Sequence, residues 1–125
     1  MDNENVTTSS EDYLEAILLL SKKDSCVRSV DVARTKQVSR ASVNKALGVL
    51  KEKGLITQEK YGTVSLTEEG EKVADSVMQR HVTLKSFLID VLGVDPKTAE
   101  IDACQMEHAI SSETMGKLEE FMRRQ

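Results

Sequence analysis

SVDVARTKQVSRASVNKALGVLKEKG (residues 29–54) and the LITQEKYGTVSLT that comes after it (residues 55–67) decide how this chain folds. SVDVARTK, residues 29–36, reads as a short helix. After it Ser39 is placed to cap a second, longer helix, in which Val43, Ala46, Leu47 and Leu50 recur at helical spacing on one face. Gly54 stops that helix, since glycine readily takes the left-handed conformation that closes a helical ladder. The next residues form two short β-leaning runs around Gly62, which reads as a hairpin. A helix, a short turn, a helix and a hairpin succeed one another within forty residues.

Upstream, Ser9 or Ser10 caps a further helix whose first turn carries Glu11 and Asp12, as the helix dipole favours. Tyr13, Leu14, Ile17, Leu18 and Leu20 give it an apolar face that ends near Lys23. Three helices and a hairpin make the plan of a winged helix, with residues 29–54 as its helix-turn-helix. Downstream, Thr67 caps a long helix over 68–92, with Val73, Val77, Leu84, Leu88 and Leu92 near one face. GVDP, residues 93–96, breaks it, and Asp95-Pro96 is suited to begin the next helix, which carries Ile101 to Ala109. Ser111 or Ser112 starts a last helix with Met115, Leu118, Phe121 and Met122 apolar. The expected fold is mainly α with a small β-hairpin wing: residues 1–70 a winged-helix DNA-binding domain, residues 71–125 a helical metal-binding and dimerisation domain.

Charge divides the chain in the same way. Between Lys22 and Lys60 ten Lys and Arg face four acids, a net +6, whereas the remaining residues hold seven against seventeen, a net −10. The overall −4 therefore hides a basic segment joined to acidic flanks, which implies two tasks. No apolar run approaches the roughly 20 residues that a membrane span needs. The polar, acidic start MDNENVTTSS does not read as a secretion signal, and two cysteines are too few for a disulfide framework. The expectation is a cytoplasmic protein with free thiols, without a membrane partner.

On the helix from Ser39 the apolar residues take one face and leave Ser39, Arg40, Ser42, Asn44 and Lys45 at its amino end or on other faces. The first turns of such a helix reach base edges in the major groove. Arginine pairs there with guanine and asparagine with adenine, while lysine and serine more often hold phosphates. Lys60 and Tyr61, beside Gly62, would let the wing touch the backbone or minor groove. Double-stranded DNA is the expected partner.

Near the carboxyl end stands CQMEH, in which Cys104, Glu107 and His108 lie at i, i+3 and i+4 and share one helical stripe. Thiolate, carboxylate and imidazole together suit a borderline transition metal better than Ca²⁺ or Mg²⁺. His81, the other histidine, interrupts the apolar face of the long helix. Asp12 and Glu15 stand one turn apart on the first helix beside an apolar face. Each of these has an ordinary explanation when taken alone: a hydrogen-bonded core histidine, dipole partners in a first turn, a small core thiol. Taken together, the six would form a costly cluster of buried charge unless a cation neutralised it.

SSEDYLEAI (9–17), SRASVNKALGVLKEKGLI (39–56), EKYGTVSLTEEG (59–70), RHVTLKSFL (80–88) and CQMEHAIS (104–111) resemble the diphtheria toxin repressor family of metal-dependent bacterial regulators. Within it the chain looks most like the short manganese transport regulator branch. The resemblance implies a winged helix, a helical dimerisation domain and a metal between them. It carries the ligand roles onto Asp12, Glu15, His81, Glu107 and His108. Cys104 departs from the branch, whose manganese-type members usually place glutamate there; iron-type members place cysteine, but usually have methionine where Asp12 stands. The site is a hybrid. The expected cofactor is Mn²⁺ or Fe²⁺, for which Co²⁺ or Zn²⁺ can substitute.

The function expected is that of a homodimeric regulator, a repressor by resemblance, that binds a palindromic operator when metal is present and controls metal homeostasis genes. The alternative is a winged-helix regulator that responds to a non-metal signal or to oxidation of Cys104. An enzyme is not expected, because the proposed ligands consume the polar groups and leave no spare acid–base pair.

Overall fold

The computed structural model describes residues 7–24, 26–59 and 62–124. They fall into two compact units divided between Asp75 and Ser76. In chain order the elements are α1 (Thr8–Lys23), β1 (Val27–Arg28), α2 (Ser29–Lys36), α3 (Arg40–Glu52), β2 (Ile56–Gln58), β3 (Thr63–Leu66), α4 (Glu68–Ser86), α5 (Pro96–Met106) and α6 (Ser112–Arg123). A π-helical turn, Phe87–Val91, extends α4.

In the first unit α1, α2 and α3 pack around Leu14, Ile17, Val32, Val43, Leu47 and Leu50, all of them fully buried. Burying an aliphatic side chain of this size contributes about 1.5–3 kcal/mol, so each of these six positions adds substantially to the unit's stability. Thr7, rather than Ser9 or Ser10, caps α1: its hydroxyl accepts the Ser10 amide at 3.1 Å. Ser39 caps α3 as expected, accepting the Ser42 amide at 3.1 Å. Between α2 and α3 the chain reverses at Gln37, whose φ of 57° places a non-glycine residue in the left-handed region and closes α2. Gly54, at φ 75°, comes directly after the C-cap of α3.

The wing is larger than a hairpin. β3 pairs antiparallel with β2, with Thr57 opposite Ser65, and on its other edge with β1, with Val27 opposite Val64. The sequence pattern does not reveal β1, because two residues are too few to show an alternation. The hairpin residues Lys60 and Tyr61 lie outside the described residues. At the foot of the sheet, the Thr67 hydroxyl donates to the Gly54 carbonyl at 2.7 Å and accepts the Gly70 amide at 3.0 Å. The start of α4 is thereby fixed to the end of α3.

The second unit is helical. Leu84, Leu88, Ala99, Ala103 and Met115 form its buried core, with Phe87, Ile110 and Leu118 packed against them. Phe87 and Phe121 meet edge to face with centroids 6.2 Å apart. Asp95 caps α5, with Pro96 at its first position, and Ser111 caps α6. Two expectations need correction here. The long helix does not run regularly to Leu92: the Leu92 amide bonds back to the Phe87 carbonyl at 3.2 Å, five residues earlier. The extra residue in that turn rotates the end of the helix, and Leu92 is 59% exposed instead of joining the apolar face. Likewise α5 ends at Met106 and not at Ala109, because the Met106 carbonyl accepts both the Ala109 and Ile110 amides at 3.0 Å and the chain turns toward the Ser111 cap. Among the described residues no helix is long and apolar enough to cross a membrane.

Candidate metal centre and DNA-reading face

Glu107 is the C-cap of α5 and keeps right-handed helical angles, φ −61° and ψ −24°, so it continues the stripe that began at Cys104. Its side chain is fully buried. Each of its oxygens faces an imidazole: Oε1 lies 2.7 Å from His81 Nδ1, and Oε2 lies 3.3 Å from His108 Nε2. His81, from α4, is 13% exposed and His108 7%. A carboxylate is withdrawn from water at high cost unless it is neutralised. Here two groups that can be either proton donors or metal ligands surround it.

The sequence did not single out a fourth member, Glu100 on α5. Its Oε1 lies 3.1 Å from His81 Nε2 and accepts from Lys85 Nζ at 3.0 Å. The Lys85 hydrogen bond, and after it His81, hold the Glu100 carboxyl below the usual carboxylate range against the opposing effect of partial burial. A single acid on an exposed helix face leaves no spacing signal, and its partner lies nineteen residues away.

Of the other expected ligands, Cys104 is exposed on α5, one turn before Glu107. Asp12 and Glu15 stand one turn apart on α1 in the first unit, Glu15 buried and Asp12 half-buried. Asp12 Oδ2 accepts from Lys36 Nζ at 2.7 Å. In the second unit the structure thus brings together His81, Glu107 and His108. Their donors are oxygen and nitrogen, a chemistry that fits first-row divalent ions such as Mn²⁺, Fe²⁺, Co²⁺ and Zn²⁺.

Along α3 and at its cap, Ser39, Arg40, Ser42, Asn44 and Lys45, the residues expected to meet DNA, are all exposed, while Val43, Leu47 and Leu50 hold the opposite face of α3 in the core. Ser39 and Ser42 also serve the cap, their hydroxyls 3.0 Å apart. Arg40, Asn44 and Lys45 leave the face with side chains long enough to reach base edges.

Fold and side-chain chemistry together define a class: a winged helix joined in one chain to a helical unit that offers metal donors. Two family models match, "Iron dependent repressor, N-terminal DNA binding domain" over residues 5–64 and "Iron dependent repressor, metal binding and dimerisation domain" over residues 67–124. An uncharacterised HTH-type transcriptional regulator of Methanocaldococcus jannaschii is 35% identical over 118 residues, 94% of each chain. The transcriptional regulator MntR of Escherichia coli is 42% identical over 105 residues, 84% of this chain and 67% of that one. The solved structure of the manganese regulator SloR superposes with a TM-score of 0.80 at 26% identity, covering 91% of this chain and 53% of that one. The chain therefore spans about half the length of that solved structure.

The chain belongs to the iron dependent repressor family. Membership bears out the resemblance read from the sequence and brings with it metal-dependent, DNA-binding regulation of transcription. The family and these relatives are transcriptional regulators, and the alternative of a non-metal signal or of Cys104 oxidation draws no support from them.

Proposed function

We propose that this chain is a cytoplasmic, homodimeric repressor that binds a palindromic operator when Mn²⁺ or Fe²⁺ is bound, and so controls genes of metal homeostasis. The observation that carries the reading is the fully buried Glu107 carboxylate with an imidazole against each oxygen. The proposed ligands are Glu107, His81 and His108, joined by Asp12 and Glu15 from α1 and by Cys104 one turn before Glu107. Bound there, a divalent cation supplies the positive charge that neutralises the carboxylates.

The protein's own residues would do the rest. Asp12 and Glu15 belong to α1, whose apolar side builds the same core as α3, so tying these two acids down restrains the helix that carries Arg40, Asn44 and Lys45. Three acids disfavour one another's approach when no cation is shared between them. Ligation would reverse that preference, and about 10⁴-fold stronger binding to the DNA-competent state takes a 1:99 population to 99:1. A dimer would place two copies of α3 one helical turn of DNA apart, or a multiple of it, which a palindrome matches. Val82, Leu92 and Ile101, exposed apolar residues of the helical unit, offer it surface to bury.

Fluorescence anisotropy tests the reading on duplexes selected from random sequence, at one fixed salt concentration. Affinity should rise tenfold or more when chelator is replaced by Mn²⁺ or by Fe²⁺ without oxygen, a coupling of about 1.4 kcal/mol. Identical curves with and without metal would leave a plain winged-helix binder.

A further inference from the structure

The two ring nitrogens of His81 meet different surroundings. Nδ1 lies 2.7 Å from the fully buried Glu107. Nε2 lies 3.1 Å from Glu100, a side chain 52% exposed whose same oxygen already holds the Lys85 ammonium at 3.0 Å. A neutral imidazole offers one lone pair and one N–H, so only one nitrogen can ligate while the other needs an acceptor. Metal-bound histidines commonly give that second N–H to a carboxylate, which fixes ring and tautomer.

The charges decide which nitrogen does which. A divalent ion between Nε2 and Glu100 would stand against the Lys85 ammonium, and like charges at such range oppose binding. An N–H donated to Glu100 meets no such opposition, and the Lys85 ammonium at 3.0 Å holds that carboxylate in place as the acceptor. Lys85 is four residues from His81 on α4 and shares its face, so one helix carries both the ring and the group that steadies the ring's acceptor. We propose that Glu100 is a positioning residue for His81: held by Lys85, its carboxylate accepts Nε2–H and so presents Nδ1 to the bound cation. This rests on the reading of His81 and Glu107 as ligands. It also leaves the Glu100 side of the ring without a second ion.

The test uses the whole chain labelled with ¹⁵N-histidine, which has two imidazole spin systems because it has two histidines. Loaded with ¹¹³Cd²⁺, the protein should show cadmium coupling at His81 Nδ1 and a bonded proton at Nε2. Glu100→Ala, a change at a half-exposed position, should lose the slowly exchanging Nε2 proton. It should also lower Mn²⁺ affinity about 10- to 100-fold in competition with a fluorescent chelator. Glu100→Gln, which keeps a carbonyl acceptor, should restore part of both. Cadmium coupling at Nε2, or wild-type Mn²⁺ affinity and an unchanged Nε2 proton in Glu100→Ala, would overturn the assignment while the metal site itself stands. A wild-type protein that takes up neither Cd²⁺ nor Mn²⁺ would remove the metal reading, and this inference with it.

Discussion

Lys36 Nζ donates to Asp12 Oδ2 at 2.7 Å, and the same ammonium stands 5.1 Å from the centroid of the Tyr13 ring. An ammonium on the last residue of α2 therefore holds one of the acids proposed to ligate metal. For a carboxylate, Lys36 and a divalent ion are rivals. The pair is partly exposed, so its contribution is about 0.5–1 kcal/mol. Lys36→Met keeps an unbranched apolar stem over Tyr13 and removes the charge. Apparent Mn²⁺ affinity should then rise about 2- to 5-fold by titration calorimetry, the same energy expressed as a ratio. An unchanged affinity would take Asp12 out of the ligand set.

Arg40 is the first residue of α3 and lies off the core face set by Val43 and Leu47. If it reads a base, Arg40→Ala should weaken binding to the selected operator by about 1–3 kcal/mol and leave binding to random duplex nearly as it was. Competition anisotropy separates the two. Equal losses on both would make Arg40 a phosphate contact.

Gly70 lies in the first turn of α4, where an added Cβ would run into the backbone of Leu55. Alanine favours a helix over glycine by about 1 kcal/mol, yet here the neighbour is main chain held by the Thr67 amide to the Leu55 carbonyl at 3.0 Å. The clash should win. Gly70→Ala is expected to destabilise the first unit by about 1–3 kcal/mol in urea unfolding. A more stable variant would show that Leu55 can move aside.

Much of this was legible because the chemistry is local. Ser39 and Gly54 mark the ends of α3 by capping and by left-handed backbone, and the apolar period of Val43, Leu47 and Leu50 places its face. His81, Glu107 and His108, which the structure brings together, stand out in the sequence by rarity: with two histidines in the chain, one on an apolar face and one beside a glutamate are conspicuous. What escaped depends on distant partners or on breaks in period. β1 exists only because Val27 and Arg28 lie beside β3. Leu84, Leu88 and Leu92 keep a four-residue spacing, and nothing in it announces the π-helical turn that directs Leu92 outward. Glu100 looks like any solvated acid until α4 brings His81 and Lys85 to it.

Cys104 is where sequence and structure leave the proposed ligand set most open to test, because it is exposed whereas Glu107, one turn on, is fully buried. A thiolate contributes most to Zn²⁺ and Co²⁺ and least to Mn²⁺, which prefers the carboxylates. If Cys104 ligates, Cys104→Ala should lower Zn²⁺ and Co²⁺ affinity by about tenfold or more, or 1.4 kcal/mol, and change Mn²⁺ affinity far less. The Co²⁺ complex gives a second reading, since the intense near-ultraviolet band of a cobalt–thiolate bond should vanish with the sulfur. Equal affinities for all three ions in wild type and variant, with no such band in either, would leave Glu107, His81 and His108 with the two α1 acids as an oxygen and nitrogen site, and would make its preference that of a hard-ligand manganese sensor.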